Sequence, residues 1–153
     1  MRSKQEAKVR EEAGQFLDPG EEVVAAVVAR PRGWTQAMAG SLHIGARQQG
    51  GARSGAADAG VELASPMALA ITQSRMLTLE LGSTIGMGAG GSVKRLMSSV
   101  PLAEVDSIEI KRLALGKILK VTVRGSEFKL EVNAAADAKG LVAALDAGRA
   151  VAG

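Results

Sequence analysis

The last third of the chain alternates apolar and polar residues through three consecutive segments, and this pattern restricts the fold more than any other feature. The alternation runs through residues 107–111, through 119–124 and, after the turn Gly125-Ser126, through 128–133. A period of two places the apolar side chains on one face of a strand and the polar ones on the other. Such strands favour an antiparallel sheet or an open barrel with one face turned to the core.

A helix is predicted directly after these strands. Asn133 is a favourable N-cap, and Asp137 would lie in the first turn, where negative charge stabilises a helix. One apolar stripe then follows at helical spacing, made of Ala138, Leu141, Val142 and Leu145. We expect this helix to cover the apolar face of the sheet.

The middle of the chain supplies further strands. Residues 22–30 are almost continuously apolar, which is typical of a well-buried strand. Residues 67–81 alternate on both sides of a turn at 72–75 and predict a hairpin or one strand with a tight bend, and residues 93–100 predict one more strand that Pro101 ends. These strands extend the antiparallel sheet toward the N-terminus.

The domain organisation follows from breaks in these patterns. Residues 1–17 predict an N-terminal amphipathic helix that opens with a capping box, Ser3 and Glu6, and stops at Asp18-Pro19-Gly20. Residues 18–153 then form one domain with Gly-rich insertions at about 31–66 and 82–92. Because the chain has two Phe, one Trp and no Tyr, we expect a core built from aliphatic side chains.

Four short motifs resemble those of a known family. They are the turn Pro19-Gly20-Glu21, the hairpin A-L-A-I-T-x-x-R-M-L at 68–77, S-V-P-L-A-E-V at 99–105 and S-I-E-I-K at 107–111. Together with the order of the elements, they resemble the bacterial pleckstrin-homology-like domains, a family largely of unknown function, over about residues 17–147. The resemblance implies an α+β fold, mainly antiparallel β, in which an open barrel of two near-orthogonal sheets is capped by a C-terminal helix.

Catalytic and metal sites are not expected. The chain has no cysteine and a single histidine, His43, which excludes disulfides and thiolate metal sites and leaves no cluster of metal ligands. Carboxylates such as Glu104 and Asp106 would share one solvated face of a strand, where nothing displaces a pKa for acid–base work. We therefore expect no catalytic residue and no enzyme.

A glycine motif also gives no cofactor site. Gly86, Gly88 and Gly91 spell G-x-G-x-x-G, which in dinucleotide-binding folds opens a helix on a pyrophosphate. Pro101 follows too soon for such a helix, and the parallel βαβ pattern is missing. A flexible connection between strands is the better interpretation, and no cofactor is expected.

One cluster carries a functional hypothesis: Arg30, Arg32, Trp34 and Met38, with Arg47 and Arg53 further along. Trp and Arg are over-represented in the centres of protein interfaces. A Trp flanked by arginines also suits the interface of an anionic membrane. A third interpretation is structural, with Trp34 folded over one end of the β domain. In lipid-binding members of the resembled family the basic residues lie on the first strand and its loop, where this chain offers only Arg30 and Arg32.

These observations favour a non-enzymatic protein-interaction or self-assembly module, whose partner is a protein or a second copy. The alternative is a peripheral module that binds anionic lipid through the loop Arg30–Arg53. The net charge of +3 is small and mixed, and aromatic residues are scarce, so nucleic acid is not an expected partner. Without a signal peptide or a long apolar stretch, we expect a cytoplasmic protein.

Overall fold

A computed structural model describes residues 4–32, 51–52, 54–64, 66–82, 92–113 and 116–152. Seven antiparallel strands form one open sheet in the order β4-β3-β2-β1-β7-β6-β5. The elements are α1 (Lys4–Ala13), β1 (Val23–Pro31), β2 (Met67–Thr72), β3 (Arg75–Leu81), β4 (Val93–Pro101), β5 (Val105–Leu113), β6 (Gly116–Val123), β7 (Ser126–Val132) and α2 (Ala138–Ala152). Short 3₁₀ helices at Gly14–Phe16 and Leu102–Glu104 complete the described elements.

The predicted fold is confirmed. The alternating segments are β5, β6 and β7, the 72–75 turn joins β2 to β3, and residues 93–101 are a strand. The two halves of the sheet are continuous through β1, which pairs with β2 along most of its length and with β7 at Ala29, Arg30 and Pro31. The ladder does not close, because β4 and β5 are its two ends.

Two apolar cores lie on opposite faces of the sheet. On one face, Leu141 and Leu145 of α2 join a cluster with the inward residues of nearly every strand, as the helical stripe predicts. On the other face, Val9 and Ala13 of α1 pack on β1, β2 and β3. All six residues of β2 are buried, because the strand is covered from both sides.

Asp137 caps the final helix. Its Oδ1 accepts a hydrogen bond from the backbone N–H of Gly140 at 2.9 Å, and α2 begins at the next residue, Ala138. The prediction that Asn133 is the N-cap is therefore wrong. Asn133 belongs to the preceding turn, where its carbonyl accepts from the N–H of Ala136 at 3.0 Å. A carboxylate bonded to the third helical N–H satisfies one of the donors that a helix start leaves free.

The last part of the first Gly-rich insertion belongs to the core. Residues 54–58 are helical, and Ala52, Ala56 and Ala59 are buried within the α2-side cluster. A Cβ added at Gly55 would collide with the backbone oxygen of Glu127 on β7, so only glycine allows this approach. Sequence patterns of large apolar residues miss such a segment, since it buries alanines and backbone.

A polar cluster around Glu21 ties the start of β1 to the β2–β3 hairpin. Arg75 donates to both carboxylate oxygens, from Nε at 2.9 Å and from Nη2 at 2.6 Å. Thr72 Oγ1 donates to the same carboxylate at 2.7 Å, and Arg75 Nη1 reaches Ser99 Oγ on β4 at 3.0 Å. The hydrogen bonds from Arg75 are the main cause that lowers the pKa of Glu21 from 4.5 to about 2, against the opposing effect of burial.

Candidate functional site

The structure places two of the four predicted site residues. Arg30 lies opposite Glu131 at the end of β1, and Arg32 follows the strand and contacts Glu131 Oε2 through Nη1 at 3.2 Å. Burial lowers the pKa of Arg30, and the nearby negative charge of Glu131 acts in the opposite direction. Trp34 and Met38 lie outside the described residues, as do Arg47 and Arg53. Both described arginines are thus engaged by one carboxylate, which is itself 7% exposed.

A cavity of about 360 Å³ lies beside Arg32, between β7 and the helical segment. Its polar lining carries both signs of charge, with Glu127 and Lys129 next to the arginine. The described part of this region therefore does not concentrate positive charge, which an inositol phosphate or a densely anionic surface needs.

The remaining candidates for chemistry have structural roles or lie outside the described residues. Glu104 is in a 3₁₀ helix, not on a strand as predicted, and forms an ion pair with Arg124 at 2.8 Å that lowers its pKa. Asp106 accepts from the N–H of Gly125 at 2.9 Å. His43 and the glycine motif at 86–91 are among the residues not described. Within the described ranges, no three His, Asp or Glu side chains come together as a metal site.

One edge of the sheet, β4, is covered. The N–H of Val93 donates to Glu12 Oε1 of α1 at 2.8 Å, and Ser98 Oγ receives the N–H of Glu62 at 3.4 Å. Arg95 forms ion pairs with Glu62 and with Glu80, the latter at 2.6 Å. The pairing of β4 with β3 also shifts register twice, which bends the strand. Each of these features discourages another chain from pairing with β4.

The other edge, β5, is open among the described residues. It has β6 as its single neighbour, and residues 107–113 pair with that strand in an unbroken register. The helix α2 contacts the start of the strand, where Arg149 Nη1 donates to the carbonyl of Asp106 at 2.8 Å. Beyond this point the backbone of β5 offers alternate N–H and C=O groups to a further strand.

Charged side chains line this open edge. Glu109, Lys111 and Arg112 are exposed, and Leu113 at the end of the strand is 39% exposed. Glu109 contacts Lys120 on the neighbouring strand at 3.5 Å, whereas Lys111 and Arg112 have no ion pair within the described residues. The edge thus combines an available backbone with a short pattern of opposite charges.

Solved structures share this architecture. A member of the DUF1696 family with a pleckstrin-homology domain, from Shewanella loihica PV-4, aligns with a TM-score of 0.50 and 12% identity, over 94% of this chain and 92% of its own. The pleckstrin-homology domain from Shewanella amazonensis SB2B aligns with a TM-score of 0.49 and 12% identity, over 94% and 96%. The chain has a pleckstrin-homology-like fold. No model of a known protein family matches the sequence, and no curated protein matches it.

The comparison confirms the predicted resemblance to bacterial pleckstrin-homology-like domains at the level of the fold. It assigns no ligand to this pleckstrin-homology-like domain. The functional hypothesis from the sequence lies on β1 and the following loop, whereas residues 107–111 are predicted only as a strand and a motif of the resembled family. The S-I-E-I-K pattern was visible, but its position at an edge depends on strand order. None of the described helices is both long and apolar enough to cross a membrane.

Proposed function

We propose that this pleckstrin-homology-like domain is a non-enzymatic assembly module that pairs its β5 edge with the same strand of a second copy. The observation that carries the proposal is the contrast, among the described residues, between a covered β4 and a β5 that is open and regular from Ser107 onward. Strand addition at an exposed edge is a general mode of protein recognition, in which main-chain hydrogen bonds give affinity and side chains give specificity.

The charge pattern of β5 is self-complementary. If two copies of the strand run antiparallel with Ile110 facing its own counterpart, each Glu109 lies opposite the Lys111 of the other copy. Both residues are exposed and alternate with Ile108 and Ile110, so their side chains share the outward face. Opposite charges directly across an antiparallel pair contribute about 0.2–1 kcal/mol each. A twofold axis through Ile110 therefore creates two favourable pairs at once.

This arrangement also avoids Asp106, where α2 meets the strand. The paired residues run from Ser107, opposite Leu113 of the second copy, to Leu113, opposite Ser107. Asp106, whose carbonyl is occupied by Arg149, lies just outside the paired stretch. A single short strand buries less surface than a stable interface requires, so the expected dimer is weak and concentration-dependent.

Protein pairing takes precedence over the alternative of anionic-lipid binding through the loop Arg30–Arg53. Arg30 and Arg32 already interact with Glu131, and freeing them for a headgroup would leave that buried carboxylate without its counter-charge. Liposome co-sedimentation at low salt, with the Trp34→Ala variant beside the wild type, tests the alternative directly. Sedimentation of the wild type that Trp34→Ala abolishes would favour lipid binding over strand pairing.

Charge reversal with rescue tests the strand pairing. Glu109→Lys and Lys111→Glu each place like charges at both cross-strand pairs, and each should weaken dimerisation by about 1–4 kcal/mol, or roughly five- to several-hundred-fold in Kd. An equimolar mixture of the two variants restores two opposite-charge pairs, so the mixed dimer should form where neither variant dimerises alone. Sedimentation equilibrium over a concentration series measures all three samples.

Lys129→Glu is the matched control. It makes the same change of charge as Lys111→Glu on an exposed residue of β7, away from the edge, and should leave the dimer unchanged. A wild-type chain that stays monomeric at the highest attainable concentration contradicts the proposal. So does a mixture of the two variants that dimerises no better than either alone.

A further inference from the structure

A hydrogen bond from the C-terminal helix reaches the backbone of the β5 edge. Near the end of α2, Arg149 Nη1 donates to the carbonyl of Asp106 at 2.8 Å, although 43 positions separate the two residues in the sequence. The register of β5 against β6 shifts at this point, between Val105 and Ser107. The carboxylate of Asp106 accepts from the N–H of Gly125 at 2.9 Å, which ties the same residue to the β6–β7 turn. The side chain of Arg149 thus holds the β5 edge at its start.

The pairing of β5 with β6 determines which backbone groups face the open side. Leu113 pairs with Gly116 across a connection of two residues, and a hydrogen bond between the flanking residues closes such a turn. Hydrogen-bonded and non-hydrogen-bonded residues then alternate along the strand. The N–H and C=O groups that point away from β6 are therefore those of Ile108, Ile110 and Arg112. The carbonyl of Asp106 points the same way, because the N–H of Ser107 in the same planar peptide unit points toward β6.

Two antiparallel registers of a β5 pair differ in whether they need the carbonyl of Asp106. With the twofold axis at Ile110, this residue bonds to its own counterpart and Ile108 bonds to Arg112, so Asp106 is not used. With the axis at Glu109, the N–H of Arg112 has to donate to the carbonyl of Asp106 at each end of the pair. Moving the axis by one residue shifts the register by two, so both registers keep the same side chains on the outward face.

Arg149 already bonds to the carbonyl that the second register needs. To form that register, the N–H of Arg112 would have to replace a charged donor, and hydrogen bonds from charged donors are stronger than those from amides. The register with its axis at Ile110 does not meet this obstacle. Glu109 acts in the same direction, because an axis at Glu109 places two like charges directly opposite each other.

We propose that Arg149 is a positioning residue that determines the register of the β5 pair and keeps its twofold axis at Ile110. This inference rests on the proposed pairing of β5 with a second copy. It adds that the C-terminal helix selects one of two registers, by occupying a backbone acceptor of the edge. The partner is accordingly a second copy held in a single register, in which each Glu109 meets a Lys111.

Single cysteines report the register, because the chain has no cysteine of its own. Residues 109 and 111 form non-hydrogen-bonded pairs across the interface, with Cα atoms about 4.5 Å apart, a distance that allows a disulfide. An equimolar mixture of Glu109→Cys and Lys111→Cys should form the 109–111 disulfide when the axis lies at Ile110. Glu109→Cys alone forms a 109–109 disulfide when the axis lies at residue 109. Oxidation in a glutathione buffer, followed by peptide mass mapping over time, measures the rate of each disulfide.

Adding Arg149→Met to Glu109→Cys should raise the rate of the 109–109 disulfide at least about fivefold, because the carbonyl of Asp106 becomes free for an amide at each end of the pair. Lys139→Met is the matched control, since it removes an exposed cation of the same helix, and it should leave the rate unchanged. A rate that Arg149→Met does not change, or that Lys139→Met raises equally, overturns the assignment of the register. The 109–111 disulfide of the mixture would then still support the pairing itself. If neither disulfide forms in any of these chains, the pairing of β5 is wrong and the assignment of the register is wrong with it.

Discussion

The two edges of the sheet are built differently although each is one strand at the end of the same ladder. β4 is bent by two register shifts, receives a carboxylate of α1 at its first N–H and is crossed by residues of the β1–β2 connection. β5 keeps a regular register from Ser107 to its last residue, and Arg149 of α2 bonds to the strand at Asp106. An edge that a protein must not use is commonly blocked by such devices. Within the described residues, β5 is the less covered of the two edges, and the proposed pairing depends on this difference.

Part of the cover of β4 comes from a Gly-rich insertion that has no strand or helix pattern in the sequence. Residues 54–58 and the stretch that follows pack between β7 and β4, with Gly55 against Glu127 and Glu62 against Ser98. Arg124 Nη1 fixes the same stretch by donating to the carbonyl of Ala59 at 2.9 Å. The described part of the insertion therefore covers the β4 edge.

Glu21→Gln is expected to lower the free energy of unfolding more than any other change on the β4 side of the sheet. The pKa of Glu21 is about 2 in the folded chain against 4.5 for the free group, a difference equivalent to up to about 3 kcal/mol, less what solvent screening removes. Because the folded pKa is lowered, this stability is present above pH 4.5 and is lost as the pH falls toward 2. Urea unfolding from pH 7 to pH 2 should show the two proteins converging at the acid end.

Arg75 supplies the internal check on this prediction. Arg75→Met removes the cation that lowers the pKa of Glu21, so it should reproduce most of the loss at pH 7 and flatten the same acid transition. Neither variant touches β5, and both should retain the concentration-dependent dimer. A Glu21→Gln chain as stable as the wild type at pH 7 contradicts the role of the cluster.

Gly55→Ala is expected to have a smaller effect on the free energy of unfolding. It changes the helical segment at 54–58, which precedes the stretch that covers β4. The added methyl meets the backbone oxygen of Glu127 and forces the helical segment away from β7, at a cost of about 1–3 kcal/mol. Gly51→Ala is the matched control, since apart from the local backbone no described atom lies within 4 Å of the added Cβ, and the higher helix propensity of Ala should leave stability unchanged or slightly raised. Thermal unfolding of both variants measures the difference. Equal melting temperatures mean that the segment does not pack as described.

Local patterns were sufficient to predict the strands and the covering helix. The alternation at 119–132 and the stripe through Leu141 and Leu145 each depend on one element meeting one core, and both are confirmed. The family resemblance then supplied the arrangement of the strands. The predicted N-cap, Asn133, is wrong because Asn133 and Asp137 are both favourable capping residues and lie four positions apart. The path of the turn between them decides which one caps the helix.

The surfaces could not be predicted in the same way. Glu131 is one of the polar residues in the alternation of β7, which predicts that it is exposed. It is buried in the structure and bonds to Arg32, which is 99 residues away in the sequence. The segment with Ala52 and Ala56 has no large apolar residue from which its burial could be predicted. Whether β5 is an edge depends on the pairing of β1 with β7, which no local pattern encodes. Arg30 and Arg32, which the sequence predicts as partner or lipid contacts, lie beside Glu131, a carboxylate that no local pattern links to them.

Hydrogen–deuterium exchange at two protein concentrations tests the open β5 edge most directly. Amides of an unpaired edge exchange through local fluctuations, and a second strand protects them. We predict that amides within 107–113 exchange rapidly in dilute solution and become protected as concentration rises, while those of β4 (Val93–Pro101) stay the same at both concentrations. Protection that rises in β4 instead, or that does not change with concentration in β5, contradicts the account.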